Sequence, residues 1–228
     1  MKMIMLALGG SVIHPDTGIN TKFLSGFNTL LRKQIAKGRR FFIMVGGGHV
    51  GREYQYAARS IKSELANEDK NWLGIHGTRL NAQLVRTVFQ DLAYPKLILD
   101  PLELGQINKE KVVIGAGSMP GASTDLDMVR VAERLKPELL ISLLNVKMIY
   151  DADPKIFPHA NPIPQMSWSD YQEMIGEWWN PERQLPFDPF AAQLAKNIGL
   201  KVILAEGRNI PNLENIFENK KFKATVIN

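Results

Sequence analysis

Three short apolar runs in this chain stop at glycine. Lys2–Leu8 runs into Gly9-Gly10-Ser11, Arg40–Val45 into Gly46-Gly47-Gly48, and Lys111–Ile114 into Gly115-Ala116-Gly117. Runs of this length and composition read as buried strands. A strand ending in glycine can turn tightly into the next element, and its backbone N–H groups can approach an anion with no Cβ in the way. Taken singly, each loop is equally well a plain strand-to-helix turn. Three of them point to an α/β chain whose strand ends form a phosphate-binding crevice.

Lys96–Leu99, Leu139–Leu143 and Lys201–Ala205 extend the set of expected strands. Leu24, Phe27, Leu31 and Ile35 recur at steps of three and four, with Gly38 where a helix C-terminus would be capped. Stripes at Leu84, Val85, Val88 and Leu92, and at Leu126, Val129, Ala132 and Leu135, supply further crossover helices. Arg59–Asn71 shows no strand pattern and, with Glu68 and Asp69, reads as loop. Tyr150–Pro189 is rich in Pro, Asn, Asp and Trp and reads as irregular elaboration near a site, with one helix capped by Ser167 and Asp170. A helix over Phe190–Ile198 stopped by Gly199, a strand, and a short helix starting near Pro211 end the chain.

The 228 residues suffice for one large domain or two joined lobes. With no cysteine, thiolate metal sites and cysteine nucleophiles are excluded, and a reducing compartment, the cytoplasm, is the expected location. The apolar Met1–Leu8 is too short for a signal sequence or a membrane span. A net charge of +5, scattered instead of clustered, does not favour nucleic acid and suits small polyanionic ligands.

Two motif readings compete at the second glycine loop. Gly46-Gly47-Gly48-His49-Val50-Gly51 satisfies G-x-G-x-x-G, the dinucleotide fingerprint, which would make the chain a nicotinamide-dependent oxidoreductase. That reading needs an acidic residue about twenty positions on, at the end of a second strand, and the polar stretch there has no strand pattern. The segment Gly46–Glu53 also approaches a Walker A loop, with Arg52 for lysine and Glu53 for Ser/Thr, but a carboxylate there would repel phosphate.

LGGSVI (Leu8–Ile13), VGGGHVGREY (Val45–Tyr54), LGIHGTRLNA (Leu73–Ala82), PGASTD (Pro120–Asp125), NVKMIYDADPK (Asn145–Lys155) and FDPFAA (Phe187–Ala192) together resemble, in order and spacing, the motif set of the amino-acid-kinase superfamily, closest to archaeal-type UMP kinases. The resemblance implies an open, mainly parallel sheet sandwiched between helices, in one domain over residues 1–228. The acceptor would occupy roughly 1–135 and ATP, with Mg²⁺, roughly 136–228. It implies ATP contacts from Gly9, Gly10, Ser11, Gly48, Arg52, Asn145, Tyr150 and Asp153. UMP contacts would come from Gly47, Asn71, Gly74, Thr78, Met119, Pro120, Gly121, Ala122, Ser123, Thr124 and Asp125, with Arg79 and Asn81 helping to build that pocket. Arg52 and Asp125 would be the catalytic residues, no side chains would form a dedicated metal site, and relatives of this type assemble as hexamers.

Phosphoryl transfer needs positioned donors and cations more than a base, so glycine N–H groups, Arg52 and Mg²⁺ suffice in principle. From the residues alone Asp125 reads first as a helix cap, its catalytic role coming from the resemblance, and His49 reads as a loop residue. Trp168, Trp178 and Trp179 read as packing or interface groups with no ligand role. The chain departs from the family pattern at Ala7, where many members carry lysine, at Asn71 in place of an acid, and at Leu144, Lys147 and Met148 in place of Thr and Asp-Gly. Near the end Ala224-Thr225 replaces Gly-Thr. A member that binds nucleotide or another oxyanion without turnover is the alternative these departures support.

Overall fold

The computed structural model describes residues 3–105, 107, 110–152, 154, 156–176 and 185–228. Asp153, Trp178 and Trp179 lie outside the described residues. The chain opens with β1 (Met3–Leu8), a one-turn helix α1 (Gly10–Ile13), α2 (Thr21–Ala36), β2 (Arg40–Val45), α3 (Gly48–Ile61) and α4 (Asn67–Val88). It continues through β3 (Val112–Gly115), α5 (Thr124–Leu135), β4 (Leu139–Leu144), β5 (Gln165–Met166), α6 (Trp168–Ile175), α7 (Pro189–Asn197), β6 (Val202–Glu206), α8 (Ile210–Phe217) and β7 (Thr225–Ile227). Among the described residues these strands form one sheet in the order β3-β2-β1-β4-β6-β7-β5, parallel except where β6 meets β7.

Alternation along β1 shows how the layers arise. Ile4, Leu6 and Leu8 face a core with Phe27, Leu31, Val85, Phe89, Leu213 and Phe217, so α2, α4 and α8 cover that side. Met3, Met5 and Ala7 face the other core, with Met128, Val129, Trp168, Tyr171, Phe187 and Ala191, beneath α5, α6 and α7. Both faces being covered explains why the parallel strands are apolar at nearly every position.

Several caps act as expected. Gly38 has φ 91° just past α2, and Ser167 and Asp170 form a reciprocal capping box at α6. Trp168 is buried, donates its indole N–H to the Leu200 carbonyl and packs edge-on to Tyr171.

Three local expectations fail. Lys96–Leu99 is not a strand: it touches the sheet through one bridge, Ile98 to Gly115, in a segment flanked by Pro95 and Pro101. The stretch read as loop before Asn71 becomes the start of α4, with Glu68 and Asp69 in its first turn, where carboxylates complement the helix dipole. This also removes the dinucleotide reading, because α3 leads into a second helix and not into the strand that must present an acid to a ribose. Finally, α5 is capped by Ser123, whose Oγ accepts from Leu126 N–H, so Asp125 lies inside the first turn and is free for another task.

Candidate active site

The chain leaves β1 for β2 and β3 on one side and later enters β4 on the other, so the order reverses between β1 and β4. Ligands of open parallel sheets bind beyond the carboxyl ends at such a reversal. Here Gly9 N–H bonds the Leu143 carbonyl at 3.0 Å and Gly46 N–H bonds the Leu8 carbonyl at 2.9 Å. The loops after β1 and β2 then touch backbone to backbone. A Cβ on Gly10 would stand 1.9 Å from Gly48 N, and one on Gly48, where φ is 63°, would stand 2.3 Å from the Gly10 carbonyl oxygen. Close approach, as much as access for an anion, demands these glycines.

Two cavities open around this contact. The smaller, about 240 Å³, lies between α3, α4 and the loop after β3. Its walls converge because Gly51, Gly74 and Gly77 let α3 and α4 cross closely: a Cβ on Gly77 would fall 2.8 Å from Gly51 Cα. The larger, about 1020 Å³, runs over the ends of β1 and β4 to the segment after β4. Gly47, Gly48, Arg52 and Thr124 line both, so the cavities meet where α3 and α5 begin. Two helix N-termini and a guanidinium therefore converge on one point, a field that favours anions. Among the described residues Arg52 has no hydrogen-bond or ion-pair partner and is free to meet one.

Of the residues expected on the acceptor, Gly47, Asn71, Gly74, Thr78, Met119, Pro120, Gly121, Ala122, Ser123 and Thr124 line the smaller cavity. Asp125 differs: it lines the larger one. Gly9, Gly10, Ser11, Gly48, Arg52, Asn145 and Tyr150, expected on ATP, line the larger cavity. Arg79 and Asn81 line neither. Asn81 Nδ2 bonds the carbonyls of Gly46 and Gly47 at 3.0 and 2.8 Å, and Arg79 Nη2 bonds the Ser118 carbonyl at 2.9 Å while lying over the Trp72 ring. Both support the walls. Thr78 does so too: its Oγ1 accepts from Gly117 N–H at 2.8 Å.

Asp125 is the most perturbed acid of the site. Burial first, and then the neighbouring Asp188 carboxylate, push its pKa up to about 7. The Asp188 N–H donates to Asp125 Oδ2 at 3.2 Å, and the Asp188 carboxylate caps α7 through Ala191 N–H at 2.8 Å. Asp188 is itself raised by burial. Close by, the Tyr171 hydroxyl donates to the Phe187 carbonyl and accepts the Phe187 N–H, both at 2.7 Å, which holds the chain entering Asp188.

Sequence reasoning missed Gln55 and Ile75 in the smaller cavity, and Ser142, Asp151, Met174, Leu185 and Pro186 in the larger; it named Gly51 and Gly117 only as glycine-loop residues and Lys147 only as a departure from the family pattern. Gln55 had a signal: Gly48, Arg52 and Gln55 recur at steps of four and three and so share one face of α3. Ile75 and Asp151 sit beside expected residues in the quoted motifs, whereas Ser142, Met174, Leu185 and Pro186 join the cavity through the tertiary fold.

The profile of the amino acid kinase family matches residues 2–206. A uridylate kinase of Methanospirillum hungatei is 32% identical, with 100% of this chain and 95% of that protein covered. One from Thermococcus sibiricus is 36% identical over 72% of each chain. The crystal structure of uridylate kinase from Archaeoglobus fulgidus superposes with a TM-score of 0.82 at 28% identity, covering 100% of both chains. Among the described residues no helix is long and apolar enough to cross a membrane. A family match over most of the length, joined to full-length likeness in sequence and in fold, makes this chain a member of the amino acid kinase family, and so a phosphotransferase.

Proposed function

We propose that the protein transfers the γ-phosphoryl group of ATP to UMP, giving UDP and ADP. The observation that carries the reading is the junction of the two cavities at Gly47, Gly48, Arg52 and Thr124. The smaller cavity takes the monophosphate and the larger takes the donor, so that their phosphates face each other across the shared wall. A phosphate oxygen of UMP attacks the γ-phosphorus, and the bond to the β,γ-bridging oxygen breaks. The attacking oxygen is already anionic, so no base is required. The two helix N-termini and Arg52 stabilise the charge on the equatorial oxygens.

Mg²⁺ is generally held by one or two carboxylates together with substrate phosphates. Asp125, which has no cation paired to it among the described residues and lines the donor cavity, suits that demand and would be the residue that holds the ion. The ion would neutralise charge on the donor phosphates. The acceptor part is then roughly 1–135 and the donor part roughly 136–228, with Gly9–Ser11 reaching into the donor cavity. The likeness to uridylate kinases supports the choice of UMP, and by the same resemblance a homo-hexamer is expected, measurable by light scattering.

ADP release is measured with ATP, Mg²⁺ and a panel of nucleoside monophosphates. UMP should be phosphorylated well above CMP and AMP. Ala7 in the donor cavity, where a cation would otherwise stand, favours one other reading, nucleotide binding without transfer; ATP binding with no ADP release under any acceptor would establish it in place of the kinase.

A further inference from the structure

The larger cavity is short of positive charge. Among the described residues four charged side chains line it: Arg52, Asp125, Lys147 and Asp151. Their formal charges sum to zero, whereas a nucleoside triphosphate carries several negative charges. Arg52 stands at the junction and is shared with the smaller cavity. Asp151 is engaged locally, accepting the Asn161 N–H at 2.7 Å and the Asn161 side-chain amide at 3.0 Å. Lys147 has no hydrogen-bond or ion-pair partner among the described residues.

The backbone beneath Lys147 is held at both ends. Leu144 O accepts from Gly207 N–H at 2.7 Å. On the other side Ile149 N–H donates to Thr225 Oγ1 at 2.9 Å, and the same hydroxyl donates to the Ile163 carbonyl at 2.6 Å. Ile163 N–H returns to the Ile149 carbonyl at 2.9 Å. The loop between Leu144 and Ile149 is therefore pinned to β7 and to the residue that follows β6, and it presents one exposed lysine on a long flexible stem at the cavity wall. An ammonium of this kind is a mobile point charge that can follow a polyphosphate chain.

We infer that Lys147 supplies the second cation of the donor site, binding the polyphosphate of the donor nucleotide; the inference rests on the kinase reading of the cleft. Arg52 then serves the phosphates at the junction, and Lys147 those lying deeper in the donor cavity.

The test compares wild type, Lys147→Gln and Lys147→Arg by calorimetric titration with ATP and, separately, with adenosine, which has the base and ribose but no phosphate. Lys147→Gln should weaken ATP binding about tenfold, the loss of one charge-assisted contact at a solvent-open site, with adenosine unaffected. Lys147→Arg should recover most of the affinity, and raising the salt concentration should weaken ATP binding less in Lys147→Gln than in wild type. Unchanged ATP affinity in Lys147→Gln overturns the assignment while leaving the kinase reading intact. Equal weakening of ATP and adenosine also overturns it, since the lysine would then act by shaping the loop. A wild type that binds no ATP overturns both.

Discussion

Asp125→Asn separates the electrostatic cost of the site from its use. The carboxyl has an ordinary value of 3.8 and is pushed to about 7 in the folded protein. Between these values the folded state keeps a proton that the unfolded chain has released. Unfolding therefore becomes easier as pH rises through that window, and the stability lost is complete above the folded value. One pKa unit corresponds to about 1.4 kcal/mol, so the step from pH 5 to pH 8 is worth at most roughly 2.7 kcal/mol. Water in the cavity reduces this to about 1–2 kcal/mol. The asparagine retains an oxygen to accept the Asp188 N–H and carries no charge at either pH. Urea unfolding of both proteins, in chelator and without nucleotide, should show the variant gaining on wild type by that amount between pH 5 and pH 8. A difference that does not change with pH would refute the account of Asp125 as a desolvated acid. The same variant should turn over slowly with Mg²⁺ and ATP, so that stability and activity move in opposite directions.

Removing Arg52 tests the junction. Arg52→Ala should lower kcat/KM for UMP at least a hundredfold, since one donor aimed at developing charge is worth about 2.7–4 kcal/mol; wild-type turnover in a folded variant would exclude the role. Gly10→Ala tests the loop contact: its Cβ would stand 1.9 Å from Gly48 N, backbone against backbone. A loss of about 3 kcal/mol or more is expected in thermal or urea unfolding, and a variant of wild-type stability would show that the loops are not in contact.

How much the sequence revealed depends on the length scale of each signal. β1 and β4 were legible because long apolar runs have few other fates, whereas β5 and β7, of two and three residues, are too short to display any period. The start of α4 was misread because Ala66 offers no side-chain cap, leaving only Glu68 and Asp69 as a signal. Lys96–Leu99 has the composition of a strand, but only one of its residues reaches a partner. At the site, motif order was enough to bring together most of the smaller cavity. It could not separate Asp125 from the Met119–Thr124 stretch, because Thr124 and Asp125 are consecutive in the first turn of α5, where side chains step roughly 100° around the axis, so Thr124 lines both cavities and Asp125 only the larger. Motif order showed Lys147 only as a departure from the family pattern, because the way its loop is held depends on Thr225 and Gly207 far along the chain.

The contact of Gly10 with Gly48 has a bearing on how such an enzyme changes its substrate. Because the walls of the two cavities are joined through main-chain atoms, the proposed transfer would have its distance set by backbone and not by the side chains that furnish either chamber. On that proposal, exchange of Asn71, Gln55 or Met119 in the smaller cavity, or of Lys147 or Met174 in the larger, would alter one chamber and leave the backbone contact between them in place. The two glycines are the coupling that leaves the chambers free to be redesigned one at a time.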